Sequence, residues 1–138
     1  MTRTRTQIVT ANAPPPVGAY SQAIAAAGLL FIAGQTPRRP DGTRIAEAPF
    51  EEQARQALRN VESICRSAGT QLKNALTVMV FLKDMADAST FDEVYREFVE
   101  PPFPARGIVQ SDLPGFALEV VAVVCGVASP FPRETGRA

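Results

Sequence analysis

Three side chains in this 138-residue chain have types and settings suited to chemistry: Arg106, Glu119 and Tyr20. Arg106 follows Pro101-Pro102-Phe103-Pro104-Ala105, whose prolines fix φ and deny the chain a helix. The guanidinium therefore sits at the junction of a stiff connector and an apolar run. Its planar fork of donors matches a carboxylate bidentately, and pairing with a nearby acid for purely structural reasons is the plainer use of the same residue. Glu119 is the one charge in the run Ala117 to Val127, ALEVVAVVCGV. A carboxylate there must be hydrogen-bonded, ion-paired or neutralised, because burying it alone is costly. It reaches solvent at a strand end, pairs with Arg106 or Lys83, or orients and deprotonates a water. Tyr20, between Gly18 and the next apolar run, is an amphipathic wall residue or a proton donor.

Composition narrows the chemistry. The chain has no histidine, so Ser-His-Asp and Cys-His catalysis are out of reach, and any proton transfer must use a carboxylate, Tyr, Lys, Cys or water. Without histidine or a close cysteine pair a zinc site is not expected. No phosphate loop or dinucleotide fingerprint is present either, so neither metal nor organic cofactor is expected. Basic and acidic side chains number 14 each, and this balance argues against a nucleic-acid partner. Cys65 and Cys125 fall in apolar patterns and read as small buried hydrophobes rather than a disulfide. Apolar residues make up 46% and charged ones 20%, with no apolar leader and no membrane-length run, which suits a soluble, cytoplasmic protein without a membrane partner. The length suits a single domain over residues 1–138.

Short apolar runs at Gln7 to Thr10, Ala23 to Ala27 and Leu29 to Gln35 predict three strands, the last two a hairpin about Gly28. Between the first two lies Pro14-Pro15-Pro16, a rigid extended arm. Gly34 suggests a bulge or a close backbone approach. Pro40-Asp41-Gly42 is a turn, and Arg38 and Arg39 beside it read as solvated. Phe50, Ala54, Ala57, Leu58, Val61, Ile64, Cys65 and Ala68 recur at helical spacing, with Pro49 in the first turn and Gly69 past the end. Glu51/Arg55 and Glu62/Arg66 stand at supportive i,i+4 spacing. Leu76 to Leu82 is a strand apolar on both faces. A second helix is predicted from about Thr90 to Glu100, with Thr90 and Glu93 as a capping box. Strands at Gly107 to Ser111 and Ala117 to Val127 follow, then a loose tail from Ser129. The result is an α+β fold, order β-β-β-α-β-α-β-β, with a mixed sheet and two helices on one face. The other face of such a sheet is apolar and uncovered, and self-association is the simplest way to cover it.

Pro16-Val17-Gly18-Ala19-Tyr20-Ser21-Gln22-Ala23, Ala33-Gly34-Gln35, Gln53 to Val61, Val80-Phe81-Leu82-Lys83-Asp84-Met85, Glu93-Val94-Tyr95, Phe103-Pro104-Ala105-Arg106 and Leu113-Pro114, followed by Glu119, resemble the Rid family of reactive intermediate deaminases, formerly YjgF. The likeness runs in order over roughly Ile8 to Val127. It implies a chorismate-mutase-like fold in a homotrimer, with sheets inward, helices outward and a cleft at each subunit interface. It also implies cofactor-free hydrolysis of small carboxylate-bearing enamines and imines, of the 2-aminoacrylate type, to 2-oxo acids and ammonia. By position, Arg106 corresponds to the arginine that grips the substrate carboxylate, Glu119 to the glutamate that handles the water, Tyr20 to the cleft tyrosine and Gly34 to the cleft glycine. A non-catalytic carboxylate-binding trimer is the alternative, and RNA cleavage or translation inhibition, attributed to some relatives, a third reading. Three positions depart from the family pattern: Ala33 replaces a serine, Ile108 a frequent cysteine and Asp92 a common asparagine. If Ala33 and Ile108 both line the cleft, its walls are more apolar and imines with aliphatic side chains are favoured.

Overall fold

The helical apolar stripe forms α1 (Phe50–Ser67), and Ala54, Ala57, Leu58, Val61, Ile64 and Cys65 along it are fully buried. Glu51 and Glu52 in its first turn and Arg66 in its last complement the helix dipole. Beyond its end, Gly69 takes φ +78°, a left-handed conformation that suits glycine. The computed structural model describes residues 4–128; the tail from Ser129, expected to be loose, lies outside them.

The stripe packs on a six-stranded sheet of β1 (Thr6–Ile8), β2 (Ala23–Ala26), β3 (Leu29–Gln35), β4 (Ala75–Leu82), β5 (Ala105–Gln110) and β6 (Leu118–Cys125). Their spatial order is β1-β2-β3-β6-β4-β5. Only the β4–β5 pair is parallel, and its crossover carries α2 (Ala88–Tyr95), which lies against α1. Strand pleating sorts the side chains. Leu30, Ile32, Val78, Val80, Leu82, Leu118, Val120, Ala122 and Val124 all turn to the helices and are buried, each such burial contributing about 1.5–3 kcal/mol. The alternate residues face away. Phe31 is 46% exposed, Met79 36% and Val109 44%, and half-buried Val121 and Val123 lie between them. The open face is thus apolar, as the doubly apolar runs of β4 and β6 require.

Several boundaries differ from the sequence reading. α2 starts two residues before Thr90, because Asp84 accepts a hydrogen bond from Ala86 N (2.9 Å) and a 3₁₀ turn over Met85–Asp87 leads into it. No Thr90–Glu93 capping box forms, and the helix ends at Tyr95, well short of Glu100. β1 is three residues long, and β5 begins at Ala105, so that Arg106 lies within a strand and not in the connector. Glu62 pairs with Arg66 as spaced, but Arg55 turns from Glu51 to Glu97, which it grips through Nε (2.8 Å) and Nη2 (2.9 Å). Cys65 is buried and burial pushes its thiol up to about 12, an inert hydrophobe, whereas Cys125 is only half-buried; both are free.

Candidate active site

Glu119 is the second residue of β6 and projects from the open face, beside Phe81 of β4. Gln53 of α1 fixes the approach to it by accepting from Ala117 N (2.9 Å) while donating to Ala48 O (2.8 Å). Across from Glu119, β3 bulges between Ile32 and Gln35, where Gly34 stands. A Cβ on Gly34 would overlap Glu119 Oε1 and lie 2.8 Å from its Cδ, so the missing side chain is what lets the carboxylate lie against the strand. Both readings of Gly34, bulge and close approach, hold together.

Glu119 opens into a cavity of about 320 Å³ walled by Tyr20, Ala33, Gly34 and Phe116. One wall is the proline arm, and buried Gln22 holds it. The Gln22 amide donates to Thr10 O (3.0 Å), Ala13 O (3.2 Å) and Pro14 O (2.9 Å), and its Oε1 accepts from Thr10 N (2.8 Å). Tyr20 Oη accepts from Val17 N (3.2 Å) and the ring is 46% exposed, so its hydroxyl stands at the cavity with a proton to donate. Among the described residues Glu119 forms no ion pair with Arg106, Lys83 or any other cation. Its carboxylate faces the cavity without an ion-pair partner among the described residues.

Arg106 is elsewhere. It pairs with Val78, whose side chain lies under the helices, so Arg106 leaves the sheet on the helix side of edge strand β5. There its Nη1 donates to Asp92 Oδ1 at 2.6 Å, the structural pairing that an arginine most often makes. The guanidinium carbon lies 5.1 Å from the Tyr95 ring centroid and 5.9 Å from that of Phe91. Arg106, Asp92 and Tyr95 line a separate recess of about 310 Å³ with Arg96, Phe103 and Pro104. The hydrogen bond from Arg106 is the main reason the Asp92 carboxyl titrates below its ordinary range. Burial pushes the Tyr95 phenol up to about 12, and among the described residues its hydroxyl has no hydrogen-bond partner. Ile108 leaves β5 on the same side as Arg106 and packs on the core. One chain therefore brings Tyr20, Ala33, Gly34 and Glu119 together on one face and carries Arg106 and Ile108 on the other.

The sequence reading missed Gln22, Phe116 and, above all, Arg38 and Arg44, which also line the Glu119 cavity. The turn signal beside Arg38 is all that the sequence shows there, and it points only to a solvated side chain. Among the described residues no group of three His, Cys, Asp or Glu side chains comes together as a metal site.

The sequence model of the Endoribonuclease L-PSP family matches residues 10–125. A RutC family protein of Pyrococcus horikoshii is 45% identical over 103 residues, covering 75% of this chain and 82% of that one. The human 2-iminobutanoate/2-iminopropanoate deaminase is 36% identical over 121 residues, 86% of this chain and 88% of its own. Among solved structures, yeast Mmf1 superposes with a TM-score of 0.84 at 33% identity, covering 88% of this chain and 98% of that one. Escherichia coli TdcF with bound serine gives 0.80 at 32%, covering 90% and 99%. A match of this extent, in sequence and in fold, makes the chain a member of the Rid family, also called YjgF, RutC or Endoribonuclease L-PSP.

Proposed function

We propose that this protein is a hydrolytic deaminase of reactive enamines and imines, converting them to 2-oxo acids and ammonia as a cytoplasmic homotrimer of chorismate-mutase-like subunits. The observation that carries the reading is the unpaired Glu119 carboxylate in a cavity beside Tyr20 and the Gly34 bulge. An imine carbon is already electrophilic, so an oriented water suffices. Glu119 takes a proton from that water as its oxygen adds to the C=N carbon, and the nitrogen is protonated to an amine. Collapse of the resulting carbinolamine expels ammonia and leaves the 2-oxo acid. Tyr20 is the proton donor on the cavity wall.

The substrate carboxylate goes to Arg106. Because Arg106 and Glu119 lie on opposite faces of one sheet, the site needs an Arg106 from a second chain, and the apolar open face supplies the reason for a second chain to bind. The name of the human relative and the serine bound to Escherichia coli TdcF favour a small carboxylate-bearing ligand. Nuclease chemistry, which the family description names, finds less support in a chain with balanced charge and no histidine.

The test is ammonia release from a freshly generated imine such as 2-iminobutanoate, with and without protein. Acceleration that Glu119→Gln abolishes while ligand binding persists is the expected result. Binding without acceleration would make the protein a carboxylate-binding trimer instead. Arg106→Lys, which loses the bidentate fork, is expected to weaken substrate capture about tenfold or more.

A further inference from the structure

The turn after β3 brings two cations to the Glu119 cavity. Arg38 and Arg44 are direct partners in an isolated antiparallel bridge, so their side chains leave on the same side. Like charges directly opposite one another repel and destabilise such a pair. Among the described residues neither guanidinium has a carboxylate partner in an ion pair. Asp41, which lies between them in the chain, is turned to Thr43 N (2.8 Å).

The Arg38 side of the pair is also held in place. Asn60, buried in α1, donates to Arg38 O (2.8 Å) and Thr36 O (3.2 Å), with its own oxygen taken by Gln56 Nε2 (3.0 Å). Arg38 Nη2 donates to Pro15 O (3.1 Å), which ties it to the proline arm, and Arg44 Nη1 lies beside Gly115. The cavity therefore carries two guanidinium charges against one carboxylate, Glu119. Two arginines without carboxylate partners on the wall of one small cavity, Arg38 held by the proline arm, make an anion receptor.

We propose that Arg38 and Arg44 bind a second carboxylate, at the end of the substrate side chain, and that the preferred substrates are imines of dicarboxylic amino acids, 2-iminosuccinate and 2-iminoglutarate. The inference rests on the deaminase reading of the same cavity. Arg106 of a second chain holds the α-carboxylate, the C=N carbon meets Glu119, and the side-chain carboxylate reaches the Arg38–Arg44 pair. The reaction is unchanged: water adds, ammonia leaves, and the product is a 2-oxo dicarboxylate. The aliphatic preference expected from Ala33 and Ile108 gives way, because the residues that meet the far end of the substrate are charged.

Rates of ammonia release are compared for 2-iminoglutarate and 2-iminobutanoate, and the ratio of kcat/KM is the readout. A ratio of ten or more that falls at least tenfold in Arg38→Gln/Arg44→Gln supports the proposal. A ratio near one, or one the double variant leaves unchanged, overturns it. Calorimetric binding of 2-oxoglutarate and 2-oxobutanoate separates this outcome from failure of the deaminase reading. If neither imine is hydrolysed, that reading falls, and tenfold tighter 2-oxoglutarate binding, lost in the double variant, still assigns the second anion site. Equal binding of the two oxo acids removes it.

Discussion

Arg106 and Asp92 form a short ion pair, Nη1 to Oδ1 at 2.6 Å. Asp92 takes Nη1, and among the described residues no carboxylate takes the Nε–Nη2 edge, which in the proposed site meets the substrate carboxylate. Asp92→Asn keeps an acceptor for Nη1 and removes a competing negative charge, so KM for a monocarboxylate imine is expected to fall severalfold. Asp92→Ala loses the orientation and is expected to raise it; steady-state kinetics on the two variants distinguishes positioning from charge alone. The Asp92 carboxyl is lowered chiefly by the hydrogen bond from Arg106, with burial opposing. A depressed folded value means that its stabilising contribution is complete above the unfolded value of about 3.9 and is lost as pH falls through the folded one. Between pH 5 and 8 the pair stays intact, so thermal unfolding in that range is expected to be insensitive to Asp92→Asn in slope, with a difference appearing on acidification. Gly34 gives a second residue-scale prediction. Gly34→Ala must displace the Glu119 carboxylate, which is the flexible end of its side chain, and is expected to leave the fold intact while turnover drops about a hundredfold. Normal turnover in that variant would mean that the Gly34–Glu119 contact does not matter.

At the scale of elements, periodicity was enough wherever one side of an element meets the core. α1, β3, β4 and β6 follow their apolar patterns to within a residue or two. Local polar signals were less reliable. Thr90–Glu93 looks like a capping box, but Asp84 begins the turn earlier, and Arg55 prefers Glu97 across the α1–α2 contact to Glu51 on its own helix. The site was legible where an odd residue interrupts a pattern, as Glu119 and Gly34 do. It was illegible where a helix residue acts on a distant loop. Asn60 sits among charged and apolar helix residues with nothing to mark it, yet it holds both carbonyls of the Arg38 turn. Asn60→Ala leaves those acceptors without their donor, at a cost of about 1–3 kcal/mol. A fall in Tm of several degrees by calorimetry is expected, and an unchanged Tm would show that solvent replaces the amide without loss.

For the whole molecule, the sheet decides what one chain lacks. Its helix side is a finished core, whereas its other side presents Phe31, Met79 and Val109 to solvent around half-buried Val121 and Val123. Such a face calls for a partner, and the proposed trimer both covers it and delivers an Arg106 to each Glu119. Met79→Glu, at an exposed position of a strand otherwise buried on its helix side, is expected to dissociate the assembly with secondary structure retained. Light scattering would then report a mass below that of the wild type. The most direct measurement of the central claim mixes two inactive variants. Arg106→Ala and Glu119→Gln are unfolded together, refolded, and assayed for ammonia release from 2-iminobutanoate against each variant treated alone. If every site takes its arginine from one chain and its glutamate from another, random mixing restores about a quarter of the sites. Recovery of activity in the mixture is therefore the predicted result, and a mixture as inactive as its components, beside a fully active wild-type control, would contradict it.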